Sequence, residues 1–208
     1  MIVGILNQKG GVGKTTLAVN ISRVFMKLGY KTTLIDTDSQ GSARDYNAAG
    51  NGDYLNVIAL DRPTLHKDIM KLRDDYDWIL LDGAPRIENM AISAIKCCDI
   101  VLIPVQPSPL DIWGTADLVD IIKARQEITE GRPKAAFVIS RRLANTNIGK
   151  EAKEVLSDFA LPVFESGTAN RVIYSTSAKL GKGVIDVEPD GAAAIEINNI
   201  VKELEEFM

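Results

Sequence analysis

The chain has 208 residues, 46% of them hydrophobic, which is enough to bury one sizeable core, and we predict a single domain over residues 1–208. Its 24 basic and 28 acidic residues leave a net charge of −4, which excludes binding of nucleic acid through the charge of the whole molecule. No signal peptide precedes the first apolar run and no run approaches the length of a membrane span, so we expect a cytoplasmic protein with no membrane partner.

The first predicted element is an apolar strand at residues 2–6, and residues 7–16 follow it with the sequence NQKGGVGKTT. An amphipathic run comes next, with Leu17, Ile21 and Val24 at helical spacing and a terminating glycine after it. A strand that turns through glycines into a helix binds phosphate, because the first helical N–H groups have no intrahelical acceptor and the helix dipole favours an anion there. This stretch therefore predicts a phosphate-binding loop.

The side chains of this loop predict a nucleoside triphosphate and Mg²⁺ as its ligands. Its glycines let the backbone approach phosphates closely. Lys14 is expected to reach the β- and γ-phosphates, and the Thr15 hydroxyl to bind Mg²⁺. A glycine-rich turn with exposed lysines is the alternative. The predicted nucleotide-binding residues of the loop are Gly10, Gly11, Val12, Gly13, Lys14, Thr15 and Thr16.

The spacing of the loop departs from the common P-loop pattern G-x-x-x-x-G-K-[ST], because Gln8 stands where that pattern has its first glycine. The segment KGGVGKTT at residues 9–16 instead resembles the deviant Walker A box of the ParA/MinD/nitrogenase-iron-protein class of P-loop ATPases. In that class the signature lysine crosses a dimer interface to the partner's nucleotide. The resemblance implies that Lys9 binds nucleotide, takes part in catalysis with Lys14, and belongs to a homodimer formed with ATP.

Residues 31–36 predict a second buried strand, which leads into the sequence DTDSQG at residues 36–41. Ligands bind at this edge in open α/β sheets. The class that the loop resembles carries a D-x-D-P-Q box here, and Ser39 replaces its proline. The resemblance implies that Asp36 belongs to the Mg²⁺ shell and that Asp38 orients or activates the attacking water. Taken alone, an Asp-x-Asp at a strand end more often caps a helix.

A surface loop at residues 50–53 precedes a short strand at residues 57–60 and a polar helix at residues 64–76. The helix holds the only histidine, His66, to which we assign no catalytic role.

Residues 77–85 predict a central parallel strand whose apolar run ends at Asp82, before a glycine. This is the Walker B arrangement, which the resembled class also has at this point. It implies that Asp82 bonds a Mg²⁺-bound water. Capping of the next helix, predicted at residues 87–98, is a compatible alternative.

Residues 99–105 predict another buried strand, and the prolines around its end stop its pairing and stiffen the exit. The segment QPSPLD at residues 106–111 resembles the proline-containing loop of the short ParA subgroup typified by ParF, where it lies at the dimer interface. A plain rigid turn is the alternative. Asp111 is expected to cap or start one long helix that runs to residue 130.

A last strand predicted at residues 134–140 ends at Arg141 and Arg142. The resembled class often places its adenine-recognising residue at this edge, most often an asparagine. Ser140 or Arg141 matches that position, and we include Arg141 among the nucleotide-binding residues.

Basic residues in the last third of the chain are candidate DNA contacts. A helix predicted at residues 145–159 carries Lys150 and Lys153. Charges of this kind usually only solvate a surface, but in a dimer each is present twice and they would form a groove for DNA phosphates. The residues we assign to DNA are Arg171, Lys179 and Lys182.

Two rival classes are disfavoured by particular residues. Residues 188–208 predict an acidic helix with Ile195 and Ile200 on its apolar side, whereas the MinD branch carries a basic amphipathic tail, so an anionic bilayer would repel this helix. The adjacent Cys97 and Cys98, which we expect to be reduced, do not supply the separated cluster ligands of a nitrogenase-iron-protein-like reductase.

The alternation of strands and helices predicts an α/β fold: a doubly wound, mostly parallel sheet flanked by helices, of the P-loop NTPase type. Because the loop directly follows the first strand, no helix-turn-helix domain is expected before it, as in the short ParA subgroup. The resemblance implies a Mg²⁺-dependent ATPase that dimerises around ATP, binds DNA non-specifically at the nucleoid and is stimulated by a small centromere-binding adaptor protein. Higher assemblies are left open, as is the cargo: plasmid, chromosome origin, chemoreceptor cluster or carboxysome.

Overall fold

The structure is a computed structural model that describes residues 1–52, 54–85, 88–143 and 148–208. Its strands are β1 (Ile2–Ile5), β2 (Thr32–Asp36), β3 (Val57–Ala59), β4 (Trp78–Asp82), β5 (Ile100–Val105) and β6 (Lys134–Ile139). Its helices are α1 (Lys14–Lys27), α2 (Ser42–Ala49), α3 (Leu65–Leu72), α4 (Glu88–Cys97), α5 (Pro109–Trp113), α6 (Ala116–Ile128), α7 (Ile148–Ser157), α8 (Val172–Lys179), α9 (Val184–Val187) and α10 (Ala192–Phe207).

The described strands form one six-stranded sheet in the order β3-β2-β4-β1-β5-β6, and every pairing between them is parallel. From β1 the chain crosses to β2 and the edge strand β3, returns to β4 between β2 and β1, and then continues on the other side of β1 through β5 and β6. This order confirms the predicted doubly wound fold. Such a sheet binds ligands at the carboxyl ends of its strands, where the order reverses. The register places Ile5 opposite Asp82, and Asp82 opposite Asp36, at this edge. The loop after β1 and both predicted carboxylates thus share one end of the sheet.

Helices cover both faces of the sheet, and each face has its own apolar core. One core packs α1, α9 and α10 against the sheet, and the other packs α3, α4, α6 and α7 against the opposite face. The central strands β1, β4 and β5 are buried at every position and, except for Asp82 at the end of β4, consist of apolar residues and glycine, because neither face reaches water. Within the described ranges, no helix combines the length and apolarity needed to cross a bilayer.

The carboxyl-terminal helix differs from the prediction in its apolar side. Ile200 is fully buried, but Ile195 is 53% exposed and lies outside the core. The helix packs against α1, and its end is tied to β6, where the Lys134 ammonium donates to the Phe207 carbonyl at 3.0 Å. Its apolar face is thus used inside the protein.

The long helix predicted from Asp111 to residue 130 is wrong, because α5 and α6 are separate helices. Ser108, and not Asp111, is the N-cap of α5. Gly114 ends α5, and the buried Thr115 hydroxyl donates to the Ile112 carbonyl at 2.6 Å and stabilises the turn. A glycine followed by a threonine whose hydroxyl bonds an earlier backbone carbonyl favours a helix end. The spacing of the apolar residues alone does not reveal this end.

Other boundaries fall close to the predicted ones, with some exceptions. The helices α2, α8 and α9 were not predicted at all, and the helix predicted to residue 76 ends at Leu72. The helix predicted from residue 145 is described from Ile148, and the preceding residues 144–147 and the side chain of Lys150 lie outside the described part. The loop predicted at residues 50–53 is described except for Asp53.

Candidate functional site

The loop between β1 and α1 has the backbone conformation that an anion site requires. Gly13 is the N-cap of α1 and has a φ of 93°, and Gly11 has a φ of 76°, which are values that L side chains rarely adopt. No side chain caps the helix. Among the described residues, no acceptor takes a hydrogen bond from the N–H groups of residues 14–16, at the start of α1. These donors are available to an anionic ligand at the helix N-terminus.

Lys14 lies inside the loop rather than in solvent. Its residue surface is 7% exposed, and its ammonium donates to the Lys9 carbonyl at 2.8 Å. Burial lowers the pKa of Lys14, and the carboxylates of Asp82 and Asp38 oppose that shift. The ammonium is therefore held by the turn of the loop and lies within the electrostatic reach of Asp82, predicted to serve Mg²⁺, and Asp38, predicted to be catalytic.

Asp82 is a buried carboxylate without a protein partner. It is 1% exposed, and neither of its oxygens has a hydrogen-bond partner among the described residues. The pKa of Asp82 is raised to about 7, mainly by burial and also by the charges of Asp36 and Asp38, while the Thr15 hydroxyl and the Lys14 ammonium act in the opposite direction. A carboxylate left in this state destabilises the fold unless a cation or a donor completes it.

These residues fit a magnesium–nucleotide complex. No group of three or more His, Cys, Asp or Glu side chains suited to a metal occurs in the described ranges, so the protein offers few direct ligands. Mg²⁺ in nucleotide sites is held in this way, by one or two protein oxygens with phosphate oxygens and water. The unpartnered Asp82 and the neighbouring Thr15 hydroxyl are such oxygens.

Asp36 stands beside Asp82 in the sheet but has a different environment. One of its oxygens accepts the Asp38 N–H at 3.1 Å, and the other accepts the Arg44 N–H at 3.1 Å and the Arg44 guanidinium Nε at 3.3 Å. The same guanidinium donates to the Asp38 carbonyl at 3.0 Å. Asp36 therefore fixes the turn that presents Asp38. Its predicted contact with Mg²⁺ stays a prediction.

A cavity of about 270 Å³ opens beside the loop and fits a base subsite. The cavity lies at the end of β6. There the Ser140 hydroxyl donates its hydrogen to the Val12 carbonyl at 2.8 Å, so this hydrogen is not available to a ligand. Arg141 follows with a φ of 52° and lines the cavity. Of the two positions predicted for base recognition, only Arg141 thus has a side chain that is not tied to the loop.

Glu196 of α10 forms hydrogen bonds with three residues that line this cavity. Its carboxylate accepts the Ala169 N–H at 3.1 Å, the Arg171 Nε at 2.8 Å and the Tyr174 hydroxyl at 2.9 Å. Arg171, which we predicted to bind DNA, is therefore paired within the chain and lines this cavity. Lys179, the last residue of α8, and Lys182, just beyond it, are exposed, and neither forms an ion pair with another described residue.

Lys9 lies at the mouth of the loop, where its ammonium forms an ion pair with Asp111 of α5 in the same chain, at 2.5 Å. Its predicted contact with a partner's nucleotide stays a prediction.

Sequence reasoning missed several residues that shape the site. The Thr37 hydroxyl donates to the Asp82 carbonyl at 2.7 Å and joins the ends of β2 and β4. The buried Asn7 side chain bonds the Lys9 N–H and the Pro104 carbonyl, at 2.8 Å each. Recognition of α2 would have indicated Arg44, because it lies in the first turn of that helix. No local signal pointed to Glu196.

The chain is similar to known proteins over most of its length. The family profile for the CobQ/CobB/MinD/ParA nucleotide binding domain matches residues 3–194. The maintenance of carboxysome distribution protein A of Halothiobacillus neapolitanus is 28% identical to the chain, over 97% of this chain and 95% of that protein. The chromosome partitioning protein ParA of Myxococcus xanthus is 26% identical, over 91% of this chain and 83% of that protein.

A solved structure extends the likeness to the fold. The septum site-determining protein MinD of Pyrococcus horikoshii, complexed with Mg-ADP, superposes with a TM-score of 0.76 at 17% identity, over 98% of this chain and 95% of that one. The same fold thus recurs in a structure that holds Mg-ADP. By its sequence over most of its length, the chain belongs to the CobQ/CobB/MinD/ParA family of nucleotide-binding domains.

Proposed function

We propose that this chain is a Mg²⁺-dependent ATPase of the ParA type that dimerises around ATP and segregates DNA, and that an adaptor protein stimulates its hydrolysis. The observation that carries the proposal is the buried Asp82, whose oxygens lack a protein partner beside Lys14 and Thr15. A site that only bound phosphate would not need an uncompensated carboxylate at its base. The Mg-ADP complex of the MinD protein supports the same ligand.

Each residue of the site has a separate part in this mechanism. The amides of residues 10–16 and the Lys14 ammonium bind the phosphates, and Arg141 contacts the base. Thr15 and Asp82 would hold Mg²⁺, which when bound neutralises charge on the β- and γ-phosphates. Asp38 orients the water that attacks, from a turn that Asp36 and Arg44 keep in place.

The role of Asp38 is tested by Asp38→Ala. Nucleotide affinity should stay within a few-fold of the unaltered protein, because Asp38 does not form the phosphate loop. Hydrolysis should fall by about 10²–10⁴-fold, the usual contribution of a positioned acid–base group. Single-turnover phosphate release and titration with a fluorescent nucleotide measure the two effects. The control is Asp45→Ala, which removes an exposed carboxylate on α2. Turnover by Asp38→Ala at the rate of the control would remove Asp38 from the mechanism.

DNA binding is proposed to require the ATP-bound dimer, because the monomer has a net charge of −4 and few unpaired cations on one surface. Dimerisation doubles the number of phosphate contacts and links them at high effective concentration. Lys179 and Lys182 are the residues proposed for these contacts. Arg171 is a weaker candidate, since its guanidinium is paired with Glu196.

The DNA contacts are tested by the double variant Lys179→Ala/Lys182→Ala. Removal of two cations from each subunit should flatten the dependence of log K on log salt by about 3 to 4, given about 0.9 for each phosphate contact. Gel-shift titrations across a salt series with ATP, ADP or no nucleotide provide the measurement. Lys67→Ala/Lys96→Ala is the charge-matched control, because α3 and α4 lie on the opposite face of the sheet. Tight binding with ADP, or an unchanged slope, would exclude this surface.

Positioning of a carboxysome or another cargo is the second candidate, favoured by the relative from Halothiobacillus neapolitanus, whose length the chain nearly matches. The site chemistry would be the same, and the adaptor would differ. Deletion of the gene separates the two: loss of plasmid or chromosome inheritance indicates partition, whereas clustered cargo with normal inheritance indicates positioning. Attachment to a membrane by the carboxyl-terminal helix is not proposed, because its apolar face packs in the core.

A further inference from the structure

The segment that contains α5 lies directly on the phosphate loop. The Lys9 ammonium is 2.5 Å from the Asp111 carboxylate, and the Asp111 side chain is only 13% exposed. The Gln106 amide donates to the Gly11 carbonyl at 3.1 Å, and a Cβ added to Gly114 would lie 4.0 Å from the Lys9 side chain. The Lys9 side chain is therefore held against α5 of its own chain.

The outer face of α5 is apolar and exposed. Leu110 and Trp113 are 69% and 63% exposed, and residues three apart lie on the same side of a helix. Ile112, which is 2% exposed, fastens the helix to the core from the other side. The second tryptophan of the chain, Trp78, is buried and stacks on Phe25. Of the two tryptophans in the chain, only Trp113 on α5 therefore presents its ring to solvent.

We propose that Asp111 is the counter-ion that retains Lys9 within its own chain, and that Leu110 and Trp113 form the surface on which a second copy of the chain packs. When two copies pair, Lys9 leaves Asp111 for the phosphates of the partner's nucleotide. The inference rests on the proposed ATP dimer. A second copy fits because it brings the anion that replaces Asp111, and because the apolar face is continuous with Lys9 through α5.

Asp111→Asn should therefore strengthen the dimer. An ion pair of this exposure shifts an equilibrium by about 1.5- to 5-fold, and each dimer breaks two such pairs, so its dissociation constant should fall by about 2- to 25-fold. Sedimentation with a non-hydrolysable ATP analogue measures it. Asp120→Asn, an exposed α6 carboxylate, is the matched control for charge. The double variant Lys9→Ala/Asp111→Asn should stay monomeric, which separates release of Lys9 from loss of repulsion at α5.

Fluorescence of Trp113 tests the surface itself. In a Trp78→Phe background the emission of Trp113 should shift to shorter wavelength when the analogue is added, because a second copy removes the ring from water. Leu110→Ser should weaken the dimer while nucleotide affinity is kept.

The outcomes separate the two proposals. If the unaltered protein forms an analogue-dependent dimer and Asp111→Asn gives no gain, or if the double variant also dimerises, the role of Asp111 is wrong. If Trp113 emission does not change in the dimer, the surface is wrong. If neither the unaltered protein nor Asp111→Asn dimerises, the dimer of the proposed function fails as well.

Discussion

Asp82→Asn is expected to stabilise the protein without nucleotide and to abolish its stabilisation by Mg²⁺ with nucleotide. The carboxylate is buried, lacks a hydrogen-bond partner in the described part of the chain, and is disfavoured further by the nearby charges of Asp36 and Asp38. An amide of the same shape removes the negative charge that this environment penalises. The same change removes an oxygen proposed to serve Mg²⁺, so binding should weaken as the fold becomes more stable.

The size and pH dependence of this effect follow from the pKa of Asp82. It is raised from 3.8 to about 7 in the folded chain, so between these values the folded state binds the extra proton. The stability that this group contributes is fully present below pH 3.8 and is lost as the pH rises through about 7, by up to about 4 kcal/mol. Asp82→Asn should therefore flatten the decline of unfolding free energy with pH. At pH 8 in a chelator, each kcal/mol gained should raise Tm by roughly 2–4 °C.

Asp36→Asn is the control with the opposite expected sign. The Asp36 carboxylate is equally buried but accepts bonds from Arg44 and from the Asp38 N–H. Its replacement leaves the Arg44 guanidinium without its charged partner and should lower stability by about 1–3 kcal/mol. Denaturant unfolding at several pH values measures both variants. A less stable Asp82→Asn protein, or one that gains as much from Mg²⁺ and ADP as the unaltered chain, would contradict the metal role of Asp82.

Lys14→Ala is expected to abolish measurable turnover. Its ammonium lies inside the loop, next to the carboxylates of Asp82 and Asp38, where charge on the transferred phosphoryl group would develop. Loss of one preorganised group of this kind slows catalysis by about 10²–10³-fold. Nucleotide affinity should fall as well, because Lys14 also binds phosphate before the reaction. Phosphate release and ADP titration of the monomer measure these effects.

Lys9→Ala is the matched comparison, since it removes a lysine of the same loop whose side chain is 41% exposed and points to Asp111. The Lys9 variant should bind ADP as the unaltered monomer does, whereas the Lys14 variant should not. Equal ADP affinity in the two variants would mean that Lys14 does not reach the phosphates from its own chain.

Local patterns in the sequence were enough to predict the parallel sheet and the place of the loop. Apolar runs of five or six residues marked the long central strands, and glycines between a strand and an amphipathic run marked the anion site. Once the strands are parallel, their carboxyl ends must share an edge, so Asp36 and Asp82 could be placed near the loop without coordinates.

Which charged residues have partners depends instead on contacts between elements that form only in the folded chain. Asp36 and Asp82 are alike in sequence and lie opposite each other, yet Arg44 satisfies one and no described residue satisfies the other. The pairing of Lys9 with Asp111 likewise joins residues far apart along the chain. Such contacts depend on how helices settle on the sheet, and residue spacing within a single element carries no information about a partner on another.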